Sequence, residues 1–200
     1  MRGWIGCGVV AIVVLLAVLV LGGWAIGIYN GLVRAQIGVD SAWSQVENVY
    51  QRRMDLIPNL VETVKGAAEF EQSTFREVTE ARAKASQITM SPELMNDPAR
   101  FRQFQEAQGE LSGALSRLLV TVENYPQLTA TQAFRDLQSQ IEGTENRIAV
   151  ERRRFNETVQ SYNTAVRVFP ASMLAGVFGF REKAFFEAEA GADRAPKVEF

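Results

Sequence analysis

The chain has 200 residues, 47% of them hydrophobic, with 21 Lys plus Arg against 23 Asp plus Glu and a net charge of −2. That balance excludes a general nucleic-acid binder, which needs a basic surface to release counterions from phosphates. There is no histidine and one cysteine, Cys7, which removes zinc fingers, Cys/His nucleophile pairs, haem ligation by His, thiol redox motifs and structural disulfides. Any chemistry is left to carboxylates, Lys/Arg, Ser/Thr or Tyr.

The apolar excess is loaded at one end. No charge occurs between Arg2 and Arg34, and Trp4–Tyr29 reads as an uninterrupted apolar run. A helix of about 20 apolar residues crosses a hydrocarbon core of about 30 Å, so this run predicts a membrane anchor with length to spare. Trp4 stands near one end, and Trp24 and Tyr29 near the other, as interfacial aromatics do. A cleaved signal peptide has a shorter apolar core of about 7–15 residues. A lipoprotein site at Cys7 lacks a hydrophobic region before it. The flanks carry Arg2 on one side and Arg34, then Asp40 and Glu47, on the other. This tips the positive-inside rule weakly toward an inside N-terminus and an extracytoplasmic domain. Gly23, Gly27, Gly31 and Ala35 recur at four-residue spacing, a small-residue face of the kind that lets helix backbones approach in lipid.

Beyond Arg34 the apolar positions keep a helical period. Val39, Trp43, Val46, Tyr50 and Met54 form one segment. Leu60, Val61, Val64, Ala68, Phe75, Val78 and Ala85 form another. Pro58 lies between them and disfavours the α region at Ile57. The chain therefore turns near Arg53–Pro58, with Asp55 as N-cap of a new helix, or continues as a kinked helix. Residues 86–100 hold two prolines and read as a loop, with Asp97-Pro98 opening a third helix. That helix carries Phe101, Phe104, Leu111, Leu115, Leu118, Val122 and Tyr125. After a break at Asn124-Tyr125-Pro126, a fourth runs from Phe134 through Leu137, Ile141, Ile148, Phe155, Val159, Tyr162 and Val166 to Phe169, a bundle-type seam stopped by Pro170. Then come a short apolar stretch, Met173–Phe180, the pair Phe185-Phe186 and a polar tail. No segment reads as β. The pattern predicts an all-α protein: one N-terminal transmembrane helix (1–33), an antiparallel four-helix bundle (34–190) and a tail (191–200).

Several runs are distinctive: Tyr29–Val33, Ala42–Glu47, Gln51–Glu62, Glu123–Leu128 and Thr144–Ala149. Toward the end come Phe169-Pro170, Gly179-Phe180, Phe186-Glu187 and Ala195–Phe200. In these runs the chain resembles the LemA family of bacterial membrane-anchored proteins. The resemblance spans nearly the whole chain and implies a single membrane helix followed by a four-helix bundle, with no settled reaction. Ala67–Glu71 departs from it, lacking the Tyr and His of the family's YAxHE pattern, so no role for that histidine carries over.

Asp55, Pro58 and Asn59, with Arg52 and Arg53, read either as a binding patch at a bundle end or, more simply, as a capped helix start with a fixed corner. In the Glu145-Asn146-Arg147 run, Glu145 lies beside the Ile141–Ile148 seam. That place predicts a polar contact inside the bundle, with Arg53 or Arg82, rather than general acid–base work, which needs a concave site and a raised pKa. Glu142, Glu145 and Glu151 lack the Glu-x-x-His partners of a di-metal bundle. Gly109 and Gly113, inside the third helix, read as a close helix crossing. Arg152-Arg153-Arg154 reads as a solvated face.

No catalytic residue, cofactor or metal set emerges. The reading is a non-enzymatic scaffold or adaptor, single-pass in the bacterial inner membrane and acting through protein–protein contacts. Its partners are the lipid bilayer, a second copy in a homo-oligomer, or another membrane protein. The alternative is a sensory or regulatory bundle working with a membrane partner.

Overall fold

The structure is a computed structural model and describes residues 2–65 and 72–187. The Ala67–Glu71 departure and the tail expected at 191–200 lie outside the described residues. Among the described residues there are helices and no strand. The helices are α1 (Arg2–Lys65), α2 (Gln72–Ser86), α3 (Pro98–Val122), the single turn α4 (Pro126–Thr129), α5 (Gln132–Arg167) and α6 (Ala171–Phe178). The protein is all-α, as its periodicity predicts.

Helix α1 is the long element: 64 residues, or about 96 Å at 1.5 Å per residue. It crosses the expected 33/34 boundary without a break. Its apolar first half is long enough to span a membrane and is not buried against the rest of the chain. From Leu32 onward one face turns inward, with Leu32, Val39, Trp43, Val46, Tyr50, Met54, Ile57, Leu60, Val61 and Val64 buried.

Of the two courses open at Pro58, a turn or a continued helix, the chain takes the second. Pro58 sits inside α1, and its ring is exposed. Proline lacks an N–H, so the carbonyl four residues earlier loses its helical donor. That carbonyl belongs to Met54, and Arg82 of α2 supplies the replacement, its Nε donating at 3.2 Å. Asp55 therefore caps no helix. It is exposed in mid-helix and accepts a hydrogen bond from Gln51 Nε2 at 2.9 Å.

The other boundaries follow local chemistry. Asp97 caps α3, accepting from the Ala99 and Arg100 amides at 3.0 and 3.1 Å, with Pro98 in the first turn. The segment read as a loop before it holds a 3₁₀ turn, Pro92–Asn96, that buries Leu94 and Met95. Thr131 caps α5 through the Phe134 amide. Gly179, at φ +78°, closes α6 in a left-handed turn, with the Phe180 amide reaching the Ala175 carbonyl. Glycine enters that region without a Cβ penalty.

Helix α5 runs antiparallel along α1, and α2 antiparallel along α3. The ion pairs Lys84–Glu110 and Glu77–Arg117 lie on the latter seam. Both are exposed and worth little. A Cβ at Gly109 would meet open space and one at Gly113 only the Arg117 side chain, so the close crossing expected there is absent. The two glycines instead line an open groove between α2 and α3.

The core has two parts. A distal cluster gathers Met54, Ile57, Leu60, Val64, Val78, Leu111, Leu118 and Phe134. A membrane-proximal one gathers Trp43, Tyr50, Phe101, Phe104, Phe155, Val159, Tyr162 and Phe186.

Arg82→Met is expected to lower unfolding stability by about 1–3 kcal/mol, the cost of an unsatisfied, partly buried acceptor. In a Pro58→Ala background, where residue 58 regains its N–H, the same substitution should cost clearly less. Urea denaturation of the four variants reads this coupling directly.

Candidate functional site

Between the two core clusters lies a polar layer. Arg53 projects from α1 and is only 1% exposed. Its Nη1 donates to Ser112 Oγ at 2.7 Å and to Glu145 Oε1 at 2.9 Å. Its Nη2 donates to the Gln108 side-chain oxygen. Ser112 Oγ in turn donates to Glu145 Oε2 at 3.2 Å. The guanidinium also stands over the Tyr50 ring, 5.0 Å from its centre. An ion stripped of water costs several kcal/mol unless geometry and hydrogen bonds compensate. Here one cation draws compensating groups from α3 (Gln108, Ser112) and from α5 (Glu145). The layer thus ties three helices to one register. Arg82, the other candidate partner for Glu145, is engaged with the Met54 carbonyl instead.

The remaining expected residues are not gathered at this layer. Arg52, Asp55, Pro58 and Asn59 are exposed on the opposite face of α1 from Arg53, and Asn146 and Arg147 are exposed on α5. The five residues of the Arg52–Asn59 group are therefore split, with Arg53 inside and four outside. Gly23, Gly27 and Gly31 have no atom near a would-be Cβ. Ala35 is half-buried against the proximal core, so within α1 the open small-residue face ends at Gly31. Arg153 and Arg154 are exposed, whereas Arg152 lies over the Phe186 ring at 4.7 Å.

A second built feature has no periodic signal in the sequence. After Gly179 the chain turns back from the membrane-proximal end and lies extended, through Glu187, in a groove between α3 and α5. Three side-chain amides hold its backbone, each by two bonds. Asn163 pairs with the amide and carbonyl of Lys183, both at 2.9 Å. Asn156 does the same to Phe186 at 2.9 and 2.8 Å, and Gln105 to Glu187 at 3.1 and 2.9 Å. Each amide presents the donor and acceptor that a neighbouring strand would. The Ala184 amide adds a bond to the Met95 carbonyl. Phe186 is the anchor: 4% exposed, with ring centroids of Phe101 at 4.9 Å and Phe155 at 5.6 Å. At the base of this strap Arg167 donates two hydrogen bonds to Glu182, at 2.6 and 2.5 Å, and these hold the Glu182 carboxyl below its ordinary range. Asn156 and Asn163 are seven residues apart on one face of α5, the one clue the sequence offered.

The cavity bounded by Tyr50, Arg53, Ser112, Glu145 and Arg152 is about 150 Å³, well under the roughly 300 Å³ where small-molecule pockets begin. Among the described residues no cluster of potential metal ligands occurs.

An apolar helix able to span a bilayer, running directly into a closed helical bundle, defines a single-pass, membrane-anchored bundle protein. The family model of the LemA family matches residues 42–200, and the chain belongs to that family. It is similar to Magnetosome protein MamQ of Magnetospirillum gryphiswaldense, 27% identical over 181 residues, covering 82% of this chain and 66% of that protein. Magnetosome protein MamQ 2 of Paramagnetospirillum magneticum is 26% identical over the same shares. Protein LemA of Metamycoplasma hominis is 23% identical over 163 residues, 82% of this chain and 70% of that one. The chain thus spans just under two thirds of the magnetosome relatives' length.

Two outcomes test this geometry. Glu145→Gln is expected to lower unfolding stability by about 1–3 kcal/mol, since it weakens the charge-assisted partner of a buried guanidinium. An unchanged melting temperature would contradict the layer. Asn156→Ala should speed amide hydrogen exchange at Phe186 and Glu187, lowering their local opening free energy by about 1–2 kcal/mol while leaving α1 protected.

Proposed function

We propose that the chain is a membrane-anchored helical scaffold that works through protein–protein contact and carries no reaction of its own. The supporting observation is α1. One unbroken helix forms both the apolar span and the inner face of the bundle, so the bundle is held at a fixed height and rotation above the bilayer. Such coupling suits a platform that must present the same face to each partner.

The partner proposed first is a second copy. Gly23, Gly27 and Gly31 leave the span's backbone open to close approach, and in lipid such faces associate by packing rather than by the hydrophobic effect. The proposed setting is the bacterial inner membrane, with the bundle on the extracytoplasmic side by the weak charge asymmetry of the flanks. A regulatory bundle that takes a ligand is the competing reading; the cavity beside Arg53 holds only about 150 Å³, whereas one of about 670 Å³ opens between α5 and the strap, beside Asn163, Arg167 and Phe185.

Light scattering of the detergent-extracted chain tests the first partner. The expected mass is a multiple of 22.2 kDa, returning to the single-chain value in Gly27→Leu. A monomeric parent contradicts self-assembly. If crosslinking in the membrane then captures no other protein either, the scaffold reading fails.

A further inference from the structure

The bundle leaves one apolar surface uncovered, and it lies beside the span. From Val168 to Phe180 the chain carries no charged residue. This stretch contains α6, whose sequence is ASMLAGVF. Only Ala175 of α6 is buried, with Ala171, Ser172 and Leu174 partly so. Phe169 and Val177 are each 78% exposed, Met173 67% and Phe178 51%. Single exposed apolar side chains are ordinary, whereas a contiguous group of this kind marks an interaction surface.

Its position selects the partner. Tyr29 ends the apolar run of α1, and its ring meets Phe178 edge-on at 5.0 Å and Phe180 at 5.7 Å. Tyrosine at the end of a span sits at headgroup level. Helix α6 is therefore level with the place where α1 leaves the hydrocarbon, beside a span whose large apolar side chains from Ile12 to Ile26 are exposed as well. Basic groups flank the apolar stretch: Arg34 on α1, Arg167 just before it, and Arg181 and Lys183 just after it, against Glu182 and Asp40. Apolar side chains backed by an excess of cationic ones are the arrangement of an interfacial helix on anionic lipid.

We propose that α6 and its flanks form a second membrane contact, a foot whose Phe169, Met173, Val177 and Phe178 enter the acyl boundary of the leaflet through which α1 emerges. The proposal rests on the reading of α1 as a membrane span. The foot gives the bundle two points of support, so it stands at a fixed tilt rather than pivoting on one helix.

Spin labels test it on the full chain in vesicles of phosphatidylcholine and phosphatidylglycerol, in a Cys7→Ser background. Single cysteines are placed at Val177, at Leu19 within the span, and at Val120, an exposed apolar site at the far end of the bundle. Phe169→Cys serves as a second foot position. The readout is collision with oxygen, which concentrates in lipid, against a neutral nickel chelate, which stays in water. The expected oxygen-to-nickel ratio at Val177 and Phe169 is several-fold above that at Val120 and on the lipid side with Leu19. If Leu19 reads as lipid while the foot positions match Val120, the foot is overturned and the span stands. If Leu19 itself reads as water, both fall. Labels at the foot shielded from both reagents would mean that protein covers α6, which also overturns the lipid contact.

Discussion

Helix α1 is the constraint on which everything else depends, because two solvents act on one rod. Its first half must be apolar all round, since lipid surrounds it. Its second half must be apolar on one face only, since water takes the other. The change of pattern falls between Tyr29 and Arg34, within about one helical turn and with no residue spent on a hinge. From there α5 packs antiparallel along it, and α6 arrives level with Tyr29 because α5 ends at Arg167, beside the emerging helix. The strap then returns up the bundle from that same end. Heights along the whole molecule are thus measured from α1.

What keeps the helices in register is polar. An apolar seam alone tolerates sliding by a turn, because one leucine or valine replaces another at modest cost. Arg53 does not permit it. Its guanidinium is matched by Glu145, Ser112 and Gln108 at one height only, and a shifted helix would leave a buried charge unpaired. The layer separates the distal core from the proximal one and locks α1, α3 and α5 between them. The amide brackets on Lys183, Phe186 and Glu187 act similarly on the strap. Backbone bonds from Asn163, Asn156 and Gln105 set its height, and Phe186 fills the aromatic cluster beneath it.

Much of this was legible in the sequence where a period carried it. The α5 seam from Phe134 to Val166, the Asp97 cap and the apolar span follow from patterns that depend on the helix itself; Phe169, read as the last member of that seam, lies beyond the helix and is exposed. Sequence reasoning failed where a distant residue decided the outcome. At Pro58 local rules count the lost hydrogen bond and leave a turn and a continued helix both open. They cannot know that Arg82, on another helix, restores a donor to Met54. Asp55 reads as a cap only if a helix begins there, so that reading falls with the turn. Arg53 and Glu145 were legible in part, since Glu145 borders the seam, yet Gln108 and Ser112 gave no signal beyond being polar. The strap was missed because extended backbone held by side chains has no periodicity of its own.

That span and bundle form one rigid body follows from the unbroken α1. Its most direct test is a distance measurement by pulsed electron–electron resonance on the full chain in bilayers, with spin labels at Leu19 and Val120 in a Cys7→Ser background. With the labelled chain diluted in unlabelled chain, so that distances between copies drop out, an uninterrupted helix requires a single narrow distance distribution, unchanged by bilayer composition. A broad or two-peaked distribution would mean that the bundle swings relative to the span, as a hinge in α1 would allow.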